Sequence, residues 1–273
     1  LTVGFVVIFG FVVLIGRARD QRRAVSSVDA DDEIDADWES AEITTFASAI
    51  QIPATAVEAG KTYRVRCKMM DDTGLWSRWS APVEFVAGAA DVSLWRNNMV
   101  ISEFMYHPPA PTGDELAVST DKDDYEFIEL MNVGTVALDL TGVRLADGIT
   151  FDFTDSAITS LAPGERVLVV ENTNAFEARY GTGLPIAGEY SGKLSNSGEL
   201  IRLAYGDGNT AANLIRSFTY DDIAPWPADA DGTGPSMVLQ NPWSVPDHNI
   251  GSNWRASHRA ISRCVAGTPS TPR

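Results

Sequence analysis

Hydrophobic and polar residues alternate with a period of two along most of the chain, the spacing that puts apolar side chains on one face of a strand and polar ones on the other. Gly, Pro, Asn and Asp break the alternation every few residues, so the predicted strands are short. From Ala41 to Val86 they are AEITTF (41–46), AIQIP (49–53), YRVRCKM (63–69) and APVEFVAG (81–88), with turns at VEAGK (57–61) and DDTG (71–74). In the third of these, Tyr63, Val65 and Cys67 share the core face, while Arg64, Arg66 and Lys68 share the other. No helix is needed in this region.

From Asn98 the apolar runs are denser. Tyr125 to Val133 and Val167 to Val170 are nearly continuous, as expected for strands covered on both faces. Glu126 and Glu129 stand three apart in the first of these runs and are expected on opposite faces, which makes them a poor acid–base pair. Later strands run from Glu199 to Tyr205 and from Leu214 to Tyr220, joined through Gly206-Asp-Gly-Asn209, which reads as a hairpin turn. One short helix interrupts the strands at Thr173 to Tyr180, with Asn172 or Thr173 as its cap and Gly181 as its stop. Phe176 and Tyr180 then lie on one helix face, directed at the sheet. Trp226 is expected to wedge against the core and Trp254 to close the last strand.

The amino-terminal end follows a different pattern. Leu1 to Gly16 carries no charge and is followed by Arg17, Arg19, Arg22 and Arg23. As a helix it spans about 24 Å, short of the roughly 30 Å of a bilayer's hydrocarbon core, and is expected to be a transmembrane or signal-anchor segment continued upstream. The arginines favour leaving the following residues in the cytoplasm, against an exported location for the rest. Residues 17–40, with the acidic stretch DADDEIDAD, are expected to be a polar linker. The predicted division is therefore 1–16 apolar segment, 17–40 linker, 41–88 first β module and 97–267 second β domain.

Charge narrows the function. The 37 acidic and 21 basic side chains give a net −16, which disfavours binding to DNA or RNA because phosphate contacts require Lys and Arg to displace counterions. The only cysteines, Cys67 and Cys264, make neither a disulfide framework nor a four-ligand zinc site. Asp221, Asp222, Asp229 and Asp231 are the densest acidic group near glycines, so Ca²⁺ is the one cofactor the sequence leaves open; as turn-capping residues the four need no metal. His107, His248 and His258 are the only imidazoles, and no nucleophile elbow, zinc-protease, phosphate-loop or dinucleotide motif occurs. The expected class is therefore non-enzymatic.

Two resemblances sharpen this. Trp76-Ser-Arg-Trp-Ser80, which follows the YRVRC strand after a short turn, resembles the WSxWS box of fibronectin type III modules. The resemblance implies that Arg64 and Arg66 sandwich Trp76 and Trp79 in a structural stack, and it covers only the later part of such a module. Further on, ISEFMYHP (101–108), DYEFIELMNVG (124–134), LDLTGVRLADGITFDF (138–153), LAPGERVLVV (161–170) and SNSGELIRL (195–203) resemble the bacterial lamin tail domain over about 98–267. That implies an immunoglobulin-like β-sandwich of the kind found in exported or surface proteins, often beside fibronectin-like modules and kinases related to spore-coat protein H. The expected fold is all-β, and the expected role is a binding or scaffold protein at the cell surface whose partner is a protein or a cell-surface component. The alternative is an accessory piece of a larger surface enzyme, a kinase or hydrolase, with its catalytic domain outside this chain.

Overall fold

The computed structural model describes residues 20–27, 36–44, 52, 56–58, 60–88, 90–206 and 211–257. The apolar run at 1–16, the centre of the acidic stretch, the Asp207–Asn209 part of the hairpin turn, His258 and Cys264 lie outside the described residues. Among the described residues no helix is long and apolar enough to cross a membrane. The chain divides between Asp91 and Val92 into two units.

The first unit holds β1 (Asp20–Ser27), β2 (Trp38–Glu39), β3 (Thr62–Met70) and β4 (Val83–Val86) in one antiparallel sheet of order β2-β1-β3-β4. This corrects the reading of 17–40 as linker. β1 pairs with β3 over its whole length, from Asp20 opposite Met70 to Ser27 opposite Tyr63. Its sequence, DQRRAVSS, has almost no hydrophobic alternation, so its extended state comes from the backbone bonds that β3 offers rather than from a face to bury. In the other direction, the expected strand at 41–46 shrinks to a bridge at Ile43 within the described 41–44. The core is small. Ile52, Tyr63, Val65 and Ala87 are buried, with Trp38, Ala56, Val57 and Phe85 packed against them.

The second unit opens with α1 (Ser93–Asn98), followed by β5 (Met99–Met105), β6 (Phe127–Asn132), β7 (Leu138–Asp139), β8 (Val143–Ala146), β9 (Ile149–Asp152), β10 (Ser160–Leu161) and β11 (Arg166–Val170). Then come α2 (Thr173–Tyr180), β12 (Ile186–Glu189), β13 (Ser191–Gly192), β14 (Leu200–Tyr205), β15 (Leu214–Thr219), β16 (Met237–Leu239) and β17 (Trp254–Ala256). A six-stranded sheet runs β12-β11-β6-β5-β16-β17 and a five-stranded sheet runs β13-β9-β8-β14-β15, with β7 and β10 as a small ribbon. Among the described strands only β11 and β12 pair in parallel. This is the all-β, immunoglobulin-like sandwich expected from the sequence.

Aromatic rings from both sheets fill the space between them. Phe104 of β5 meets Phe218 of β15 at 6.0 Å, Tyr220 at 5.1 Å and Trp254 of β17 at 5.1 Å, and Trp226 stacks on Trp254 at 6.1 Å. The sandwich also begins earlier than Asn97. Trp95, fully buried in α1, stacks on Tyr205 at 5.0 Å and donates its Nε1–H to the Asp139 carbonyl at 2.7 Å. The WRNN sequence carries no strand period, so alternation alone places the start of this unit later in the chain.

The outer face of the six-stranded sheet is divided in two. At one end α2 covers it, pressing Phe176 against Met105, Phe127, Leu168 and Val170. The helix occupies the residues expected for it: Asn172 caps it by accepting from the Ala175 N–H at 3.1 Å, and Gly181 ends it with φ +97°. At the other end of the same face lie polar side chains, brought there by a bulge between Ile101 and Glu103 on β5.

Candidate ligand-binding sites

The tryptophan motif of the first unit is built from a three-residue repeat laid along β3. Ser77 donates its N–H to the Met69 carbonyl at 2.8 Å and accepts from the Met69 N–H through its hydroxyl at 3.0 Å. Three residues later, Ser80 does the same with Cys67, at 2.8 and 3.1 Å. A three-residue period on one strand against a two-residue period on the other puts Trp76 and Trp79 on the same side. The Lys68 ammonium sits over both rings, 5.3 Å from the Trp76 centroid and 4.5 Å from that of Trp79. Lys68 was not singled out from the sequence, although it continues the Arg64, Arg66 alternation by one more step. Arg64 donates through Nε to Glu84 on β4 at 3.2 Å. Both tryptophans are half-buried. Cys67 on the same strand is a free thiol.

The four aspartates do separate jobs. Asp221 accepts from the N–H groups of Asp222 at 2.8 Å and Ile223 at 3.2 Å, a turn cap, and its carboxylate beside Asp222 holds the Asp222 carboxyl above the usual range. Asp229 contributes a backbone carbonyl to the Thr233 hydroxyl. Asp231 pairs with His107 Nδ1 at 2.5 Å. Among the described residues no three His, Cys, Asp or Glu side chains are arranged to hold a metal ion.

The groups that the sequence reading undervalued are buried carboxyls. Glu126, fully buried, accepts through Oε2 from the Tyr190 hydroxyl at 3.0 Å and the Leu194 N–H at 2.9 Å. Burial pushes its pKa up to about 8. Glu103 and Glu129 face each other across β5 and β6 on the polar end of the outer sheet face. Glu129 accepts from the Ser102 hydroxyl at 2.6 Å and from Arg166 Nη1 at 2.5 Å, while Glu103 accepts from the Ser236 hydroxyl. Burial first, and the neighbouring Glu129 charge second, push Glu103 up to about 7. A carboxyl inside an otherwise apolar strand, as in ISEF and FIEL, was the available signal.

At Ser102 and Arg166, the two partners of Glu129, the surface opens into a cavity of about 310 Å³, lined also by Arg255 and the 238–242 stretch. His248, by contrast, is a core residue. Its Nε2 accepts from the Ile101 N–H at 3.2 Å, its Nδ1 faces the Pro246 carbonyl at 2.9 Å, and burial holds its pKa down to about 4. The neutral imidazole is therefore a backbone hydrogen-bonding partner for β5.

Residues 95–222 match the family model of the lamin tail domain. The match stops before β16 and β17, which complete the six-stranded sheet. A DUF4876 family protein from Bacteroides thetaiotaomicron VPI-5482, known as a crystal structure, is similar at 10% identity with a TM-score of 0.42, covering 94% of this chain and 96% of its own. No curated protein matches the chain.

Proposed function

We propose that this chain, with its lamin tail domain match at residues 95–222, is a non-catalytic binding or scaffold protein of the exported or surface-attached fraction. The first unit is read as a partial fibronectin III-like module. The serine and tryptophan geometry on β3 supports that reading, because it uses the WSxWS motif as a surface brace. The apolar run at 1–16 is the natural attachment segment. The partner is a protein or cell-surface component that docks on the second unit.

The observation that carries this reading is the cavity on the outer sheet face. The carboxyls behind its lining Ser102 and Arg166 are engaged in hydrogen bonds rather than primed to react. Glu129 is engaged by both Ser102 and Arg166, so it is a poor base for the adjacent hydroxyl, and Glu103 is engaged by Ser236. A rigid polar cavity on a strand scaffold is a recognition feature. The test is saturable binding of the fluorescently labelled full chain to isolated cell envelopes, with heat-unfolded protein as control. Binding confined to the folded protein is expected. No envelope binding, together with turnover of ester, glycoside or phosphoryl substrates, would overturn the reading.

A further inference from the structure

We propose that the cavity beside Ser102, Arg166 and Arg255 binds a sugar acid, a pyranose bearing one carboxylate, with Arg255 holding the carboxylate and Trp243 facing the ring. This rests on the binding role proposed above and names its ligand class.

Arg255 stands on β17, the edge strand of the sheet, and is exposed. Its Nη1 donates to the Ala256 carbonyl at 3.1 Å, which fixes one corner of the guanidinium and leaves the Nε and Nη2 edge to meet a ligand. That edge is a planar two-donor fork, the geometry that matches a carboxylate. Arg166 also lines the cavity and is paired with Glu129. The glutamates set the size of the charge. With Glu129 buried and bonded to the lining Ser102 and Arg166, Glu103 opposite it on β5, and a net −16 over the chain, a second negative charge meets repulsion, so a single carboxylate fits better than a phosphate dianion or a polyanion.

The aromatic part comes from a strained loop. Asn241 and Val245 both take left-handed backbone angles, φ +49° and +50°, on either side of Pro242-Trp243-Ser244. For a β-branched valine this conformation is costly and must be held by its surroundings. Here the holding bonds are Ser244 N–H to the Asn241 carbonyl and Val245 N–H to the Pro242 carbonyl, each at 3.0 Å. The result is a tryptophan 58% exposed, next in sequence to the cavity-lining Pro242 and with its ring beside Gly164, two residues before Arg166. The negative face of an indole suits the C–H face of a pyranose. Gln240 donates to the carbonyls of Ser252 at 2.9 Å and Trp254 at 3.1 Å, so its own carbonyl remains for a hydroxyl donor. A sugar supplies hydroxyls, and a simple carboxylic acid does not. The 310 Å³ volume lies at the small end of ligand pockets, which suits one ring rather than a chain.

A bound carboxylate also couples to Glu103. That group stands opposite Glu129 on β6 and accepts from the Ser236 hydroxyl, and the charges of Arg166 on β11 and Arg255 on β17 act on it from further off, as its own charge acts on Tyr180 of α2. Its protonated form repels the ligand less, so affinity is expected to rise as pH falls from 8 to 6.

The experiment is calorimetric titration of the full chain with D-glucuronate and with D-galacturonate, using D-glucose and a glutamate-containing peptide as comparison arms. The expected result is millimolar or tighter binding of a uronate, glucose weaker by about tenfold or more, and a loss of about tenfold in Arg255→Gln and in Trp243→Ala with unchanged melting temperatures. Both positions are exposed, and Arg255→Lys provides a second variant that keeps charge without the fork. Equal binding of glucose and glucuronate, undiminished binding by Arg255→Gln, binding of the peptide alone, or no saturable uronate binding would each overturn the proposal. Envelope binding that persists in Arg255→Gln without any uronate binding would sink this proposal and leave the binding role. Uronate binding without envelope binding would do the reverse.

Discussion

The two units solve the same problem, keeping a β-sheet folded in water, with different means. The first has a few buried residues around Tyr63 and Val65 and protects its sheet from outside, with serines bonded along β3 and a lysine over two half-buried tryptophans. The second buries rings from two sheets against each other, around Phe104, Phe218 and Trp254, and carries carboxyls inside. Among the described residues of the first unit one sheet has a small buried cluster, so surface interactions, each worth a fraction of what a buried ring contributes, carry more of what holds it. A closed sandwich has core stability to set against the cost of burying Glu126 and Glu103.

The largest expected effect sharpens where the second unit starts. A piece beginning at Asn97 lacks Trp95, whereas one beginning at Val92 keeps it. Removing this fully buried indole should cost about 3–5 kcal/mol, read as the difference in denaturation midpoints between the two pieces. Equal midpoints would show that α1 is an appendage.

The next effect concerns the carboxyls inside that unit. Glu126 at about 8 and Glu103 at about 7 both lie above an ordinary glutamate, so the folded protein holds protons that the unfolded chain releases. Their stabilising contribution is complete below about pH 4.5 and is lost as pH rises through 7 to 8. His248 works the other way, its contribution present above about 6.5 and lost as pH falls towards 4. Between pH 6.5 and 8 these carboxyls act together with Glu171, which burial likewise raises to about 7, and the melting temperature should fall as pH rises. Glu126→Gln keeps a carbonyl acceptor for Tyr190 and Leu194 while removing the titration. It should flatten the curve by about 2 kcal/mol over that interval, one proton over about 1.5 pH units. An unchanged slope would show that Glu126 is ionised throughout.

The smallest effect belongs to the first unit. Lys68→Ala should cost about 0.5–1 kcal/mol, the range of a cation over an exposed aromatic face, and Trp79→Ala somewhat more because ring area is lost with it. Indole fluorescence during urea unfolding reads both. A loss as large as that from deleting Trp95 would erase the contrast between surface brace and buried core.

Much of this was legible in the chain. Dense apolar runs at Tyr125–Val133 and Val167–Val170, turn residues between them, and the Asn172-to-Gly181 helix signals are local properties, and local sequence determines them. The alternation at Tyr63, Val65, Arg64, Arg66 and Lys68 likewise assigned the two faces of β3, whereas the rings of Trp76 and Trp79 meet Lys68 only once their segment folds back along that strand. Other features needed partners distant in sequence. β1 is a strand because β3 lies beside it, and nothing in DQRRAVSS announces that. Trp95 is core because Tyr205 and the Asp139 carbonyl come to meet it. Glu103, Glu129, Arg166 and Arg255 come from four strands between 103 and 255. Only the order β11-β6-β5-β16-β17 brings them together, since hydrogen-bonded strands stand about 4.8 Å apart whatever their separation along the chain. Period and turn chemistry thus determined which segments are strands, whereas the strand order decided which charged side chains meet on the outer sheet face.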